Sequence, residues 1–236
     1  MYRTEVARAG EDAVSTGVAS FLSGVYYWMT FALGLSALCA WLVGTSENLT
    51  RMILKNPVMM IVLIVLELGL VFVISGLIQK MSAAVATALF SLYAALNGLT
   101  LGFVFIAYSI PAISSAFLTT TVTFAAMAVY GTVTKRDLTK LGSILFMALI
   151  GLIIASVVNM FWANSTLYWI VTYAGVLIFV GLTAYDAQAI KNLYLNMNDG
   201  ASETRRKLAV LGALTLYLDF INLFLFLLRI FGGRRD

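Results

Sequence analysis

Apolar residues recur from about Gly24 to Phe231 with only short polar interruptions, and no other feature constrains this chain as strongly. A helix needs about 20 mostly apolar residues to cross the hydrocarbon core of a bilayer. Seven segments meet that length: Gly24–Gly44, Pro57–Gln79, Ala83–Ser109, Ile113–Thr134, Leu141–Ala163, Tyr168–Ile190 and Leu208–Arg229. Runs such as MMIVLIVLELGLVFVI do not alternate polar and apolar residues, so the strands of a transmembrane barrel are excluded and a helical bundle remains. The expected fold is therefore an all-α integral membrane protein of seven transmembrane helices. Residues 1–23 form a polar N-terminal segment, 24–231 the membrane domain and 232–236 a short basic tail. Pro57 suits a first helical turn, and Pro111 suits the tight link between the third and fourth spans.

Composition sharpens this. Of the 236 residues 61% are hydrophobic and 11% charged, with a mean hydropathy of +0.96, which leaves no room for a separate water-soluble domain. The absence of histidine removes imidazole metal sites and Ser-His-Asp triads. One cysteine excludes an internal disulfide or a thiolate cage, and Cys39 lies in an apolar run as a small buried hydrophobe. No cofactor motif or nucleophile with an adjacent base is present, so neither an enzyme nor a resident cofactor is expected. The first 23 residues lack the order of a secretory signal, and the first span is expected to stay in the mature protein.

The net charge of +4 does not form a stripe for nucleic acid, and no nucleic-acid partner is expected. Lys and Arg instead divide between the two ends of the spans. Ten lie on the N-terminal side (Arg3, Arg8, Lys80, Lys135, Arg136, Lys140, Lys191, Arg205, Arg206, Lys207) and five on the other (Arg51, Lys55, Arg229, Arg234, Arg235). The positive-inside rule places the N-terminus in the cytoplasm. The tail RIFGGRRD then falls outside, unless the last segment enters and returns without crossing. The link KNLYLNMNDGASETRRK reads as a solvated cytoplasmic loop held near anionic lipid, with partner docking as the alternative. No internal repeat supports an inverted-repeat transporter.

Acidic residues inside the membrane are costly and are the first functional candidates. Three fall in spans: Glu67, Asp186 and Asp219. No lysine lies within a span to pair with them, which also removes the Schiff-base lysine of a retinal protein. Asp186 lies toward one end of the sixth span and Asp219 partway along the seventh, which starts at that same end. The two carboxyl groups meet if the sixth helix runs on past Ile190, and carboxyls in contact share a proton and titrate as a pair. Thr215 and Asn222 share the face of Asp219, and Thr183 lies one turn before Asp186. The plainer alternative is that each acid is neutral and hydrogen-bonded in the bundle. Gly98 and Gly102 form a GxxxG expected to pack closely within the chain. Trp162, Tyr168 and Trp169 read as an interface belt, and Asn97 and Asn159 bridge helices or line a path.

At these acidic segments the chain resembles a known family. GLTAYDAQAIKN around Asp186 and GALTLYLDFINLFLFLLRIFG around Asp219 look like the signature of the Bax inhibitor-1 family, the transmembrane Bax inhibitor motif proteins, most of all its bacterial branch. VYYWMT at Val25, GTVTKRDL at Gly131 and VNMF at Val158 extend the likeness over nearly the whole chain. The resemblance implies a seventh helix surrounded by the other six. It further implies a pH-sensitive calcium leak channel of the bacterial inner membrane, closed by a proton-sharing pair at Asp186 and Asp219, with Glu67 on the ion path. Calcium is then the permeating ion, met transiently by the two aspartates. Similar bacterial proteins carry a basic cluster with a latch arginine at the end of the second span; SGLIQKMS here leaves only Lys80 for that role. The same resemblance allows a non-conducting regulator of a membrane protease or of cell-death partners. A proton-coupled calcium exchanger is the third reading of the same acids.

Overall fold

The computed structural model describes residues 2–197 and 201–232, with side chains from residue 14 onward. Seven helices are long and apolar enough to cross a membrane. They are α1 (Tyr2–Thr45), α2 (Pro57–Leu77), α3 (Ala83–Leu101), α4 (Ile110–Val133), α5 (Thr139–Trp162), α6 (Ser165–Leu195) and α7 (Ser202–Phe231). No strand occurs among the described residues. The protein is an integral membrane protein, and each helix satisfies its own backbone as lipid requires.

Local chemistry marks the helix starts. The Asn56 side chain accepts the N–H groups of Val58 and Met59 ahead of Pro57, and the Ser82, Ser109 and Asn164 side chains cap α3, α4 and α6 in the same way. Between α5 and α6 the chain turns at Ala163, whose φ of 48° is left-handed. Asn159 secures this turn, since its carbonyl accepts the Ala163 N–H at 2.8 Å and its side chain the Asn164 N–H at 3.0 Å. α3 is interrupted at Gly102 and resumes as a short turn, Phe103–Ala107, so the third span is one path in two pieces.

α7 is the core of the bundle. In its most apolar window 61% of residues are buried, against 11% in α2 and α5. Its broad contacts are with α1, α3, α4 and α6. α2 packs mainly on α3, and α5 on α6, so these two stand farther out with large side chains such as Phe72 and Phe161 exposed. The broad packing around α7 thus comes from four helices, because the two most exposed helices have their neighbours on one side only. α7 is a continuous helix of 30 residues, long enough to cross rather than return.

The close packing expected of the GxxxG is present, and its partner is α1. A Cβ on Gly98 would lie 2.5 Å from the Ser36 carbonyl, and Gly102 lies against Val43. The glycines are therefore spent within one chain, on close backbone approach.

α6 and α7 run farther at the basic end than hydropathy alone indicates, to Leu195 and from Ser202. Much of the link read as a solvated loop is helical; only residues 198–200 lie outside the described residues. Several polar side chains at this end are engaged. Gln188 accepts the Leu138 N–H at 2.9 Å and donates to the Arg136 carbonyl at 2.8 Å, and Lys191 donates to the Thr132 carbonyl at 2.6 Å. Glu203 accepts the Ala83 N–H at 2.6 Å, and Lys207 donates to the Gln79 carbonyl at 3.3 Å. Arg205 stacks over Tyr194 at 5.9 Å. So α6 holds the α4–α5 link and α7 holds the α2–α3 turn. Within the first of these, Thr139 hydrogen bonds hold the Asp137 carboxyl below the usual carboxylate range.

Replacing Gly98 with Val is expected to cost about 1–3 kcal/mol, because the added groups meet Ser36 backbone rather than a movable side chain. Gly151→Ala, where a Cβ meets nothing within 4 Å, is expected to be neutral or to stabilise by up to about 1 kcal/mol. Thermal unfolding of the purified protein in detergent distinguishes the two.

Candidate functional site

Asp186 and Asp219 come together. The extension of α6 past Ile190 and its long packing seam with α7 place both aspartates on the wall of one cavity of about 710 Å³ between α5, α6 and α7. Asp219 is 4% exposed and Asp186 half-buried. Neither carboxyl forms an ion pair with a described residue. Asp219 Oδ2 is buried, and no N–H or O–H donor reaches it among the described residues. The Asp186 and Asp219 carboxyls interact with each other at this wall. A hydrogen bond between two carboxyls requires a proton on one of them.

The rest of the cavity is amphipathic. Ser143 and Ser156 of α5 and Tyr185 of α6 line it, with Thr215 and Asn222 of α7 one turn to either side of Asp219. Thr215 donates to the Leu211 carbonyl and Asn222 to the Leu218 carbonyl, which turns their remaining acceptor capacity toward the cavity. Thr183 is elsewhere: fully buried, bonded to the Phe179 carbonyl at 2.7 Å, and outside the cavity wall. Close backbone packing fixes α6 here, since Gly131 of α4 lies directly against the Ala184 backbone. Lys80 is exposed on the 3-10 turn Ile78–Lys80 and pairs with neither aspartate.

Glu67 belongs to a separate polar cluster. It projects from the otherwise apolar α2 toward α3, where Asn97 Nδ2 donates to its Oε2 at 3.0 Å. The Tyr217 hydroxyl of α7 meets Asn97 Oδ1 at 2.8 Å and Ser36 Oγ of α1 at 2.7 Å; Ser36 Oγ also lies 2.6 Å from the Ala94 carbonyl. Four helices thus share one hydrogen-bonded chain. The Tyr217 ring is fully buried, edge-on to Phe90 and Tyr93. Of the two asparagines singled out, Asn97 serves this cluster and Asn159 serves a turn. Tyr217 and Ser36 are the additions that sequence reasoning missed. The available signal was a phenol and a hydroxyl in mid-span, where each needs a partner.

At the opposite end, Arg229 lies 5.7 Å over the Tyr168 ring and 5.0 Å over Phe226, while Trp162 is 79% exposed, as an interface belt requires. Among the described residues no group of three or more acidic or cysteine side chains forms a tight metal cage.

Comparison with known proteins follows the same segments. The profile of a family described as "Inhibitor of apoptosis-promoting Bax1" matches residues 18–236. The chain belongs to the Bax inhibitor-1 family. Among its members, a protein named "Inner membrane protein YbhL" from Escherichia coli K12 is 51% identical over 219 residues, covering 93% of this chain and 94% of that one. An uncharacterized protein of Borreliella burgdorferi is 44% identical over 92% of this chain and 93% of its own length. An uncharacterized protein of Deinococcus radiodurans is 43% identical, over 93% and 92%. The acidic residues thus sit in a bacterial Bax inhibitor-1 protein compared along nearly its full length.

A carboxyl pair in contact titrates in two macroscopic steps. Infrared titration of the carboxyl bands of the purified protein is expected to resolve both steps, and either Asp186→Asn or Asp219→Asn is expected to leave one.

Proposed function

We propose that this protein is a pH-sensitive calcium leak channel of the bacterial inner membrane, gated by the Asp186–Asp219 pair. The observation that carries the reading is the placement of two interacting carboxyl groups, from α6 and α7, on the wall of one amphipathic cavity in an otherwise apolar bundle. The name of the Escherichia coli relative supports the location. With the basic end in the cytoplasm, the pair faces the cytoplasmic half of the membrane.

The mechanism follows from proton count. At low pH a proton held between the carboxyls joins α6 to α7 and closes the gap. As pH rises that proton leaves, two like charges remain in contact at low dielectric, and repulsion separates the helices. The same oxygens are hard ligands for calcium, but two carboxylates fall far short of the roughly six to eight oxygens of a tight site. Thr215, Asn222 and water supply the remainder weakly, which favours passage over storage. Glu67 serves as a second acidic station along the path. Lys80, a flexible point charge without the fork of arginine, is free to approach the opened pair but does not latch the closed one.

Calcium entry into liposomes carrying the purified protein tests this. Wild-type flux is expected to rise from about pH 5 to about pH 8, and Asp186→Asn or Asp219→Asn to flatten that dependence. Unaltered pH dependence in both variants contradicts the gate. A stoichiometric counter-flow of protons identifies an exchanger. No flux above empty liposomes at any pH favours the regulatory role, which removal of the residues before the first span then probes.

A further inference from the structure

The Glu67 cluster carries a direction that the gate does not use. Asn97 Oδ1 bears no hydrogen, so the 2.8 Å contact with Tyr217 is donated by the phenol. That bond fixes the amide with Nδ2 toward Glu67, the orientation that suits an ionised carboxylate. The flipped amide sets two acceptors against each other at the Glu67 end and leaves the phenol only as an acceptor at the other. Ser36 has one proton for Tyr217 or for the Ala94 carbonyl, so it supports the phenol without replacing it. Thr100, the other hydroxyl beside Glu67, has one proton for the Asn97 carbonyl at 2.8 Å or for Glu67. With that proton on the Asn97 carbonyl, Glu67 Oε1 is buried with no hydrogen-bond donor among the described residues. A buried carboxylate oxygen held through its twin lacks the charge partner that a cation supplies.

We propose that Tyr217 is a positioning residue for cation passage: through Asn97 it holds Glu67 by Oε2 and presents Oε1 to a divalent metal cation. This deepens the ion-path reading of Glu67 and rests on it. The phenol is suited to the task because its ring is clamped edge-on by Phe90 and Tyr93 and has no exposed surface. It also lies two residues before Asp219 on α7, so one helix bears both the gate carboxyl and the support of the second acidic station. A shift of α7 at the gate moves the Tyr217 hydroxyl against Asn97.

Calcium uptake into proteoliposomes, followed against calcium concentration, is the first arm of the test. Tyr217→Phe is expected to raise the half-saturating calcium concentration about fivefold or more while the maximal rate changes by less than about twofold, the size of one lost supporting hydrogen bond. In a Glu67→Gln background the same substitution is expected to change nothing further, since its effect runs through the carboxylate. The second arm needs no transport: the carboxylate band of Glu67 in the infrared spectrum, assigned by its loss in Glu67→Gln, is expected to shift in Tyr217→Phe and equally in Asn97→Leu. Failure of wild type to conduct, with the band shift present, overturns the channel reading and keeps the positioning role. An unshifted band, or an equal change of half-saturation in both backgrounds, overturns the role of Tyr217.

Discussion

Two carboxyl groups in contact within a membrane cannot both stay charged without a heavy electrostatic cost, and the arrangement of this protein depends on that constraint. Asp186 and Asp219 come from the two helices most buried within the bundle, and no described cation neutralises them. A proton shared between them, as proposed above, is the cheapest compensation available in that place. On the proposed reading the α6–α7 seam is held partly by apolar packing, which is indifferent to pH, and partly by a bond that exists only while a proton is bound.

The surroundings make that local event consequential. Gln188 and Lys191 tie α6 to the link between α4 and α5, and Glu203 and Lys207 tie α7 to the turn between α2 and α3. Each helix of the acidic pair therefore moves with its own neighbours rather than alone. α7 also carries Tyr217 into the Glu67 cluster, so one helix reaches both groups of intramembrane acids.

The sequence made the membrane fold plain because lipid demands helices of a fixed apolar length, and the spans lie near their expected limits except the first, whose helix begins at Tyr2, far ahead of Gly24. It also singled out the three acids, since charges are rare and expensive in such segments. The helical ends were less legible. Residues 191–195 and 202–207 are polar and read as loop, yet they continue α6 and α7, because capping of neighbouring backbone compensates what hydropathy does not record. Tyr217 and Ser36 stayed hidden for another reason: their partners lie on other helices, and pairing across helices leaves no mark in local spacing. Thr183 shows the converse, since one turn of spacing placed it near Asp186 in sequence while its hydroxyl bonds back along its own helix.

The central claim is that the proton content of one carboxyl pair sets the separation of α6 and α7. Spin labels at the exposed positions Leu193 and Arg206, in a Cys39→Ser background within lipid nanodiscs, report that separation by pulsed dipolar distance measurement. The account predicts a distance that widens as pH rises and a single pH-independent distance in Asp219→Asn. A distance that stays constant across pH in the otherwise native protein, or one that widens equally without Asp219, contradicts it.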